Sequence, residues 1–124
     1  MQQLEAREQE WLFRWAEVKA LQYPELSLLY HIPNGGKRNA KEAANLKRQG
    51  VKAGVPDLCL PVARGKYHGV YIELKAGKNT TTAKQDEWIQ KLDEQGYLSL
   101  SCNGWNAAAE ILESYLKLPK GETL

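Results

Sequence analysis

The segment Val70-Tyr71-Ile72-Glu73-Leu74-Lys75 constrains the fold of this chain more than any other. It alternates as a β-strand does, with successive side chains on opposite faces. Val70, Ile72 and Leu74 share one face, suited to a core. Glu73 and Lys75 share the other. Upstream lies Asp57-Leu58-Cys59-Leu60-Pro61-Val62, and the turn-like Arg64-Gly65-Lys66-Tyr67-His68-Gly69 joins the two. Two such runs around a short loop read as a hairpin. A central strand with a charged face carries a desolvation cost unless those groups are used.

The rest of the chain alternates in type around that hairpin. Leu4 to Gln22 carries Leu4, Trp11, Leu12, Trp15, Val18 and Leu21 at helical spacing, and Pro24 stops it. Leu26 to Ile32 is a short apolar run before Pro33-Asn34-Gly35-Gly36, which predicts a strand entering a turn. Asn39 to Gln49 predicts a polar helix, with Asn39 as N-cap and Gly50 just past its end. Thr82 and Gln85 fit a capping box opening a helix that runs to about Gln95. Tyr97 to Ser101 predicts a strand, and Ala107 to Leu116 a last amphipathic helix. The order is α β α β β α β α. It predicts an α/β or α+β fold: a small mixed sheet flanked by helices.

At 124 residues the chain is expected to form one domain, residues 1–124. Hydrophobic residues at 43% and charged residues at 26% exclude disordered, collagenous and coiled-coil classes. No apolar run is long enough to span a membrane. The polar, acidic start lacks the blocks of a signal peptide, so a cytoplasmic location is expected. Cys59 and Cys102 have no metal-site spacing and read as free thiols. His31 and His68 are isolated and read as structural. Gly35-Gly36-Lys37 lacks the spacing of a P-loop. The four tryptophans read mainly as core, though Trp11 and Trp15 would also suit a dimer face.

The net charge of +2 is unevenly distributed. Residues 31–84 hold 11 Lys or Arg and only 3 acids, for +8, while the remainder carries −6. A basic middle points to a polyanionic partner such as nucleic acid, although a solvated basic surface would look the same from charge alone. The three acids are Glu42, Asp57 and Glu73. Asp57 can reach the face that Glu73 and Lys75 share, so two carboxylates and an ammonium would meet. That set suits metal-assisted phosphodiester hydrolysis, because Mg²⁺ takes one or two carboxylates plus water and phosphate. A structural Glu–Lys pair on an exposed sheet face is the competing reading.

Pro56-Asp57 followed by Glu73-Leu74-Lys75 resembles the PD-(D/E)XK nuclease signature. Asn34-Gly35-Gly36-Lys37-Arg38, Gly50-Val51-Lys52-Ala53-Gly54-Val55-Pro56-Asp57-Leu58 and Gln85 narrow this. Together they resemble the virus-type replication–repair nuclease (VRR-NUC) domain, in the stand-alone form of phages and bacteria. The resemblance runs from about His31 to Tyr97.

It implies a restriction-endonuclease-like core with a four-stranded sheet. It implies Asp57, Glu73 and the Leu74 carbonyl as ligands of Mg²⁺ or Mn²⁺, Lys75 as catalytic lysine, and Gln85 facing the site. A glutamate of the first helix would join them. Glu5, Glu8 and Glu10 compete, and the Glu-Gln-Glu spacing favours Glu8. Lys37, Arg38, Lys41, Lys47, Arg48 and Lys52 would contact DNA phosphates, and the Gly50–Gly54 segment would approach DNA closely. The implied activity is a metal-dependent DNA endonuclease, acting as a homodimer on branched DNA such as Holliday junctions. A sequence-specific restriction-type endonuclease and a non-catalytic DNA-binding accessory protein are the alternatives.

Overall fold

The computed structural model describes residues 2–34 and 39–124, apart from the side chains of residues 2 and 3. Strands Tyr30–His31 (β1), Leu58–Leu60 (β2), Val70–Lys75 (β3) and Leu98–Asn103 (β4) form one sheet in that spatial order. β2 is antiparallel to both β1 and β3, and β4 is parallel to β3. The expected hairpin and mixed sheet are therefore present. A parallel pair needs a crossover, and helix Ala83–Glu94 (α3) supplies it. Helices Gln2–Lys19 (α1), Ala40–Arg48 (α2) and Trp105–Leu116 (α4) complete the α+β arrangement.

The core lies on the face of β3 that alternation assigned to it. Val70, Ile72 and Leu74 are each 1% exposed and join Leu12, Leu58, Leu112 and Tyr115 in one cluster. Each such aliphatic side chain contributes about 1.5–3 kcal/mol on burial. Tyr115 ties α4 to the segment after β2: its hydroxyl donates to the Val62 carbonyl at 2.6 Å and accepts the Arg64 amide hydrogen at 3.1 Å. Cys59 and Cys102 are free and buried, on opposite faces of the sheet. Burial pushes the Cys102 thiol up to about 11.

Two expectations need correction. The first helix ends at Lys19, and its buried line is narrower than the apolar spacing implied. Leu12 and Ala16 face the core, whereas Leu21 is 90% exposed and Trp11 and Val18 are also exposed. The helix packs against α4, the 3₁₀ turn and β3, with Phe13 and Trp15 partly buried beside Leu12 and Ala16, and only its far side faces solvent. The segment from Leu26 is also not one strand. Pro24 opens a 3₁₀ turn over Pro24–Leu28, and only Tyr30–His31 pair as strand. Three-residue spacing on that turn, rather than alternation, buries Leu26 and Leu29 and exposes Leu28.

The expected caps form. Asn39 Oδ1 accepts the Glu42 amide hydrogen at 2.7 Å. Thr82 Oγ1 accepts that of Gln85, and Gln85 Oε1 accepts that of Thr82. Among the described residues no helix is long and apolar enough to cross a membrane.

Candidate active site

Asp57 immediately precedes β2, and the β2–β3 register carried one residue further sets it opposite Glu73. Pro56 has no amide to extend the ladder, so the strand opens there. Asp57 Oδ2 accepts the Leu74 amide hydrogen at 3.0 Å. The Asp57 carbonyl accepts the Ile32 amide hydrogen at 2.6 Å and lies 3.0 Å from His31 Nδ1. The aspartate is thus held between β1 and β3. Lys75 Nζ lies 3.8 Å from Glu73 Oε2.

Glu73 is 2% exposed and Lys75 8% exposed. The charged face of β3 is therefore buried, unlike the exposed face that a structural Glu–Lys pair would occupy. Burial pushes the Glu73 carboxyl up to about 9, the neighbouring Asp57 carboxylate adds to the rise, and Lys75 opposes it. Glu73 Oε1 is buried with no hydrogen-bond partner. A buried, unpartnered acceptor beside a second carboxylate is an uncompensated arrangement. A hard cation would compensate it, and two carboxylates with a backbone carbonyl and water fit Mg²⁺ or Mn²⁺. Among the described residues no three His, Cys, Asp or Glu side chains converge on one point, so the donors do not form an all-side-chain cage.

Asp57, Glu73 and Leu74 border a cleft of about 450 Å³ together with Glu5, Gln85, His31 and Asn34. The Leu74 side chain is in the core, so its backbone is what borders the cleft. The first turns of α1 pass the carboxyl end of β3, where Asn79 Nδ2 donates to Glu5 Oε2 at 2.9 Å. Glu5 also adds to the rise of the Glu73 carboxyl.

Glu8 does not border the cleft. Its Oε1 accepts the Trp105 amide hydrogen at 2.8 Å and supplies the side-chain cap that Gly104 cannot give α4. The Glu-Gln-Glu spacing favours Glu8, but Glu5 lies three residues away on the same helix face, and it is Glu5 that borders the cleft. Glu10 lies on a different groove, between α1 and the 3₁₀ turn.

Gln85 Oε1 closes the capping box, and the residue also borders the cleft. Gly54 explains how the Gly50–Gly54 segment meets α3. Its φ is +93°, and a Cβ there would lie 2.8 Å from the Lys84 carbonyl oxygen. That glycine serves the close approach of the loop to the first turn of α3. His31, which the sequence reads as structural, and Asn34, of the Asn34–Arg38 motif, both border the cleft. Asn34 Nδ2 approaches the Val55 carbonyl at 3.4 Å, and its buried Oδ1 has no partner. The signal in the sequence was their position just ahead of the glycine turn.

The basic residues sit apart from these groups. Lys41, Lys47, Arg48 and Lys52 are exposed and none borders the cleft. Lys37 and Arg38 lie outside the described residues.

No curated protein matches the chain. A solved structure titled "VRR_NUC domain protein" is similar to it, with a TM-score of 0.82 and 33% sequence identity, covering 98% of this chain and 96% of that one. The VRR-NUC domain family matches residues 3–106, a span that takes in Glu5, Asp57, Glu73, Lys75 and Gln85. With the match covering most of its length, the chain belongs to the VRR-NUC domain family and has the general character of a nucleic-acid-cleaving nuclease.

Proposed function

We propose that the chain is a divalent-metal-dependent DNA endonuclease, its 124 residues acting as one nuclease domain. The observation that carries this is buried Glu73 opposite half-buried Asp57, with Glu73 Oε1 unpartnered and Lys75 Nζ 3.8 Å from Glu73 Oε2. Asp57, Glu73 and the Leu74 carbonyl would hold Mg²⁺ or Mn²⁺, and Glu5 rather than Glu8, bordering the same cleft, would act on the ion through a bound water and not as a third direct acidic ligand. The bound ion would supply a water of lowered pKa and stabilise charge on the scissile phosphate. Lys75 orients the attacking water or neutralises charge developing on the phosphate. Gln85, its oxygen committed to the Thr82 amide, keeps its NH₂ group free to donate to a phosphate oxygen.

The proposed substrate is branched DNA, Holliday junctions foremost. A homodimer would provide two sites for paired cuts. Lys41, Lys47, Arg48 and Lys52, with Lys37 and Arg38, would contact phosphates without reading sequence.

The test incubates a labelled four-way junction, a flap and a linear duplex with the protein, with and without Mg²⁺ or Mn²⁺. Metal-dependent cutting of the junction in preference to the duplex supports the reading. Lys75→Ala should lower cleavage by about 100-fold or more while leaving junction binding largely intact. A Lys75→Ala protein that cuts at the wild-type rate refutes the mechanism. Sedimentation of the protein alone reports the dimer.

A further inference from the structure

The turn that follows β3 is pinned from two sides. β4 holds one side: Asn103 Nδ2 donates to the Gly77 carbonyl at 3.0 Å, and the Gly104 amide donates to the Lys75 carbonyl at 2.8 Å. α1 holds the other. Asn79 closes the turn, its backbone amide donating to the Ala76 carbonyl at 3.1 Å. Its side chain donates to Glu5 Oε2, across 74 residues of sequence. Asn79 is therefore a donor fixed in the loop between Lys75 and α3.

The helix that carries Glu5 is fixed as well, because Glu8 is bound to the start of α4 through the Trp105 amide. What remains free is the side chain of Glu5, half-buried in the first turn of α1. A glutamate so placed samples several rotamers, and holding one of them costs side-chain entropy. The Asn79 amide removes that freedom. It presents its NH₂ group, because an ionised carboxylate only accepts.

The neutrality of the donor matters. The described residues bordering the cleft include three acids, Glu5, Asp57 and Glu73, and no Lys or Arg. A cation in place of Asn79 would hold Glu5 but offset its charge. An amide holds it and leaves that charge for the cleft. It engages Oε2 and leaves Oε1 for a second donor.

We infer that Asn79 is a positioning residue of the cleft, holding the Glu5 carboxylate, charge intact, in the rotamer from which it accepts a water of the hydrated cation. The inference rests on the proposed metal-dependent reading but concerns how Glu5 is held, not the cutting of DNA. Partners outside a metal's ligands typically tune its affinity about 10–100-fold. Asn79 acts one step further out, so an effect of about three- to tenfold is expected.

Mn²⁺ affinity is measured by calorimetry, without DNA, on wild type, Asn79→Ala, Glu5→Ala and the double variant. Asn79→Ala is expected to weaken Mn²⁺ binding about three- to tenfold. The double variant is expected to bind within about twofold of Glu5→Ala alone, because Asn79 acts only through the carboxylate it holds. If Asn79→Ala does not fold, Asn79→Ser, which keeps a polar side chain in the turn but shortens its reach to Glu5, must give the same loss.

A merely structural tether would lower the melting temperature of Asn79→Ala and leave its Mn²⁺ affinity unchanged, which overturns the inference. Losses that add in the double variant, or unchanged affinity in Glu5→Ala, overturn it too. In each of these cases a wild type that binds Mn²⁺ and cuts DNA keeps the nuclease reading. A wild type that binds no Mn²⁺ refutes both.

Discussion

Glu8 Oε1 and the Trp105 amide nitrogen are 2.8 Å apart, linking the first helix to the start of the last across 97 residues of sequence. This contact commits Glu8, the glutamate that the sequence spacing favours for the site, to capping α4 instead. Glu8→Ala should lower stability by about 0.5–2 kcal/mol, the usual loss for a helix cap, and leave Mn²⁺ affinity within about twofold. Glu5→Ala should weaken Mn²⁺ binding several-fold at little cost in stability. Urea denaturation and calorimetry on the two variants check both halves. The reverse assignment fails if Glu8→Ala alone keeps its metal affinity.

Glu73 makes the metal-free protein sensitive to pH. Its carboxyl has an ordinary value of 4.5 and is pushed up to about 9 by burial and by Asp57. Between those values the native state holds a proton that the unfolded chain has released. The stability contributed by this group is therefore full below about pH 4.5 and is lost as pH rises toward about 9. In EDTA, wild-type urea midpoints should fall from pH 5 to pH 9 more steeply than those of Glu73→Gln. Mn²⁺ at pH 8 should raise the wild-type midpoint and leave that of Glu73→Gln nearly unchanged.

Gly54 and Gly50 provide a matched pair. Both have positive φ, but a Cβ at Gly50 meets nothing within 4 Å, while one at Gly54 would meet the Lys84 backbone. Gly50→Ala should cost about 1 kcal/mol through its backbone conformation alone. Gly54→Ala should cost about 2–4 kcal/mol and should also weaken metal-dependent activity, because it pushes on the turn that carries Gln85. Equal losses from the two substitutions would show that the contact with α3 is unimportant.

Tyr115 is fully buried, and its hydroxyl both donates and accepts. Tyr115→Phe leaves the Val62 carbonyl and the Arg64 amide without that partner. A loss of about 1–3 kcal/mol in urea denaturation is expected, with no change in metal affinity.

Much of the fold was legible because local rules act over a few residues. Thr82 with Gln85, and Asn39 before a run of helix formers, specify helix starts through hydrogen bonds within four positions. Alternation in Val70–Lys75 specified which face of β3 meets the core. The 3₁₀ turn at Pro24–Leu28 was not legible, because Leu26, Leu28 and Leu29 suit strand and turn equally until one knows which of them reaches the core. The extent of the buried line on α1 was hidden for the same reason: it depends on where α4 lies.

At the site the division is similar. The sequence by itself determined the residue types, the pairing of Asp57 with the Glu73-Leu74-Lys75 strand, and the basic middle, since hairpin register and charge are properties of short segments. Tertiary structure alone decided that Glu73 is buried with an unpartnered oxygen. It likewise decided that Glu5 rather than Glu8 reaches the cleft. Those outcomes depend on contacts between elements distant in sequence. Whether a carboxylate caps a helix or faces a cation is set by what packs against it, and no local pattern carries that information.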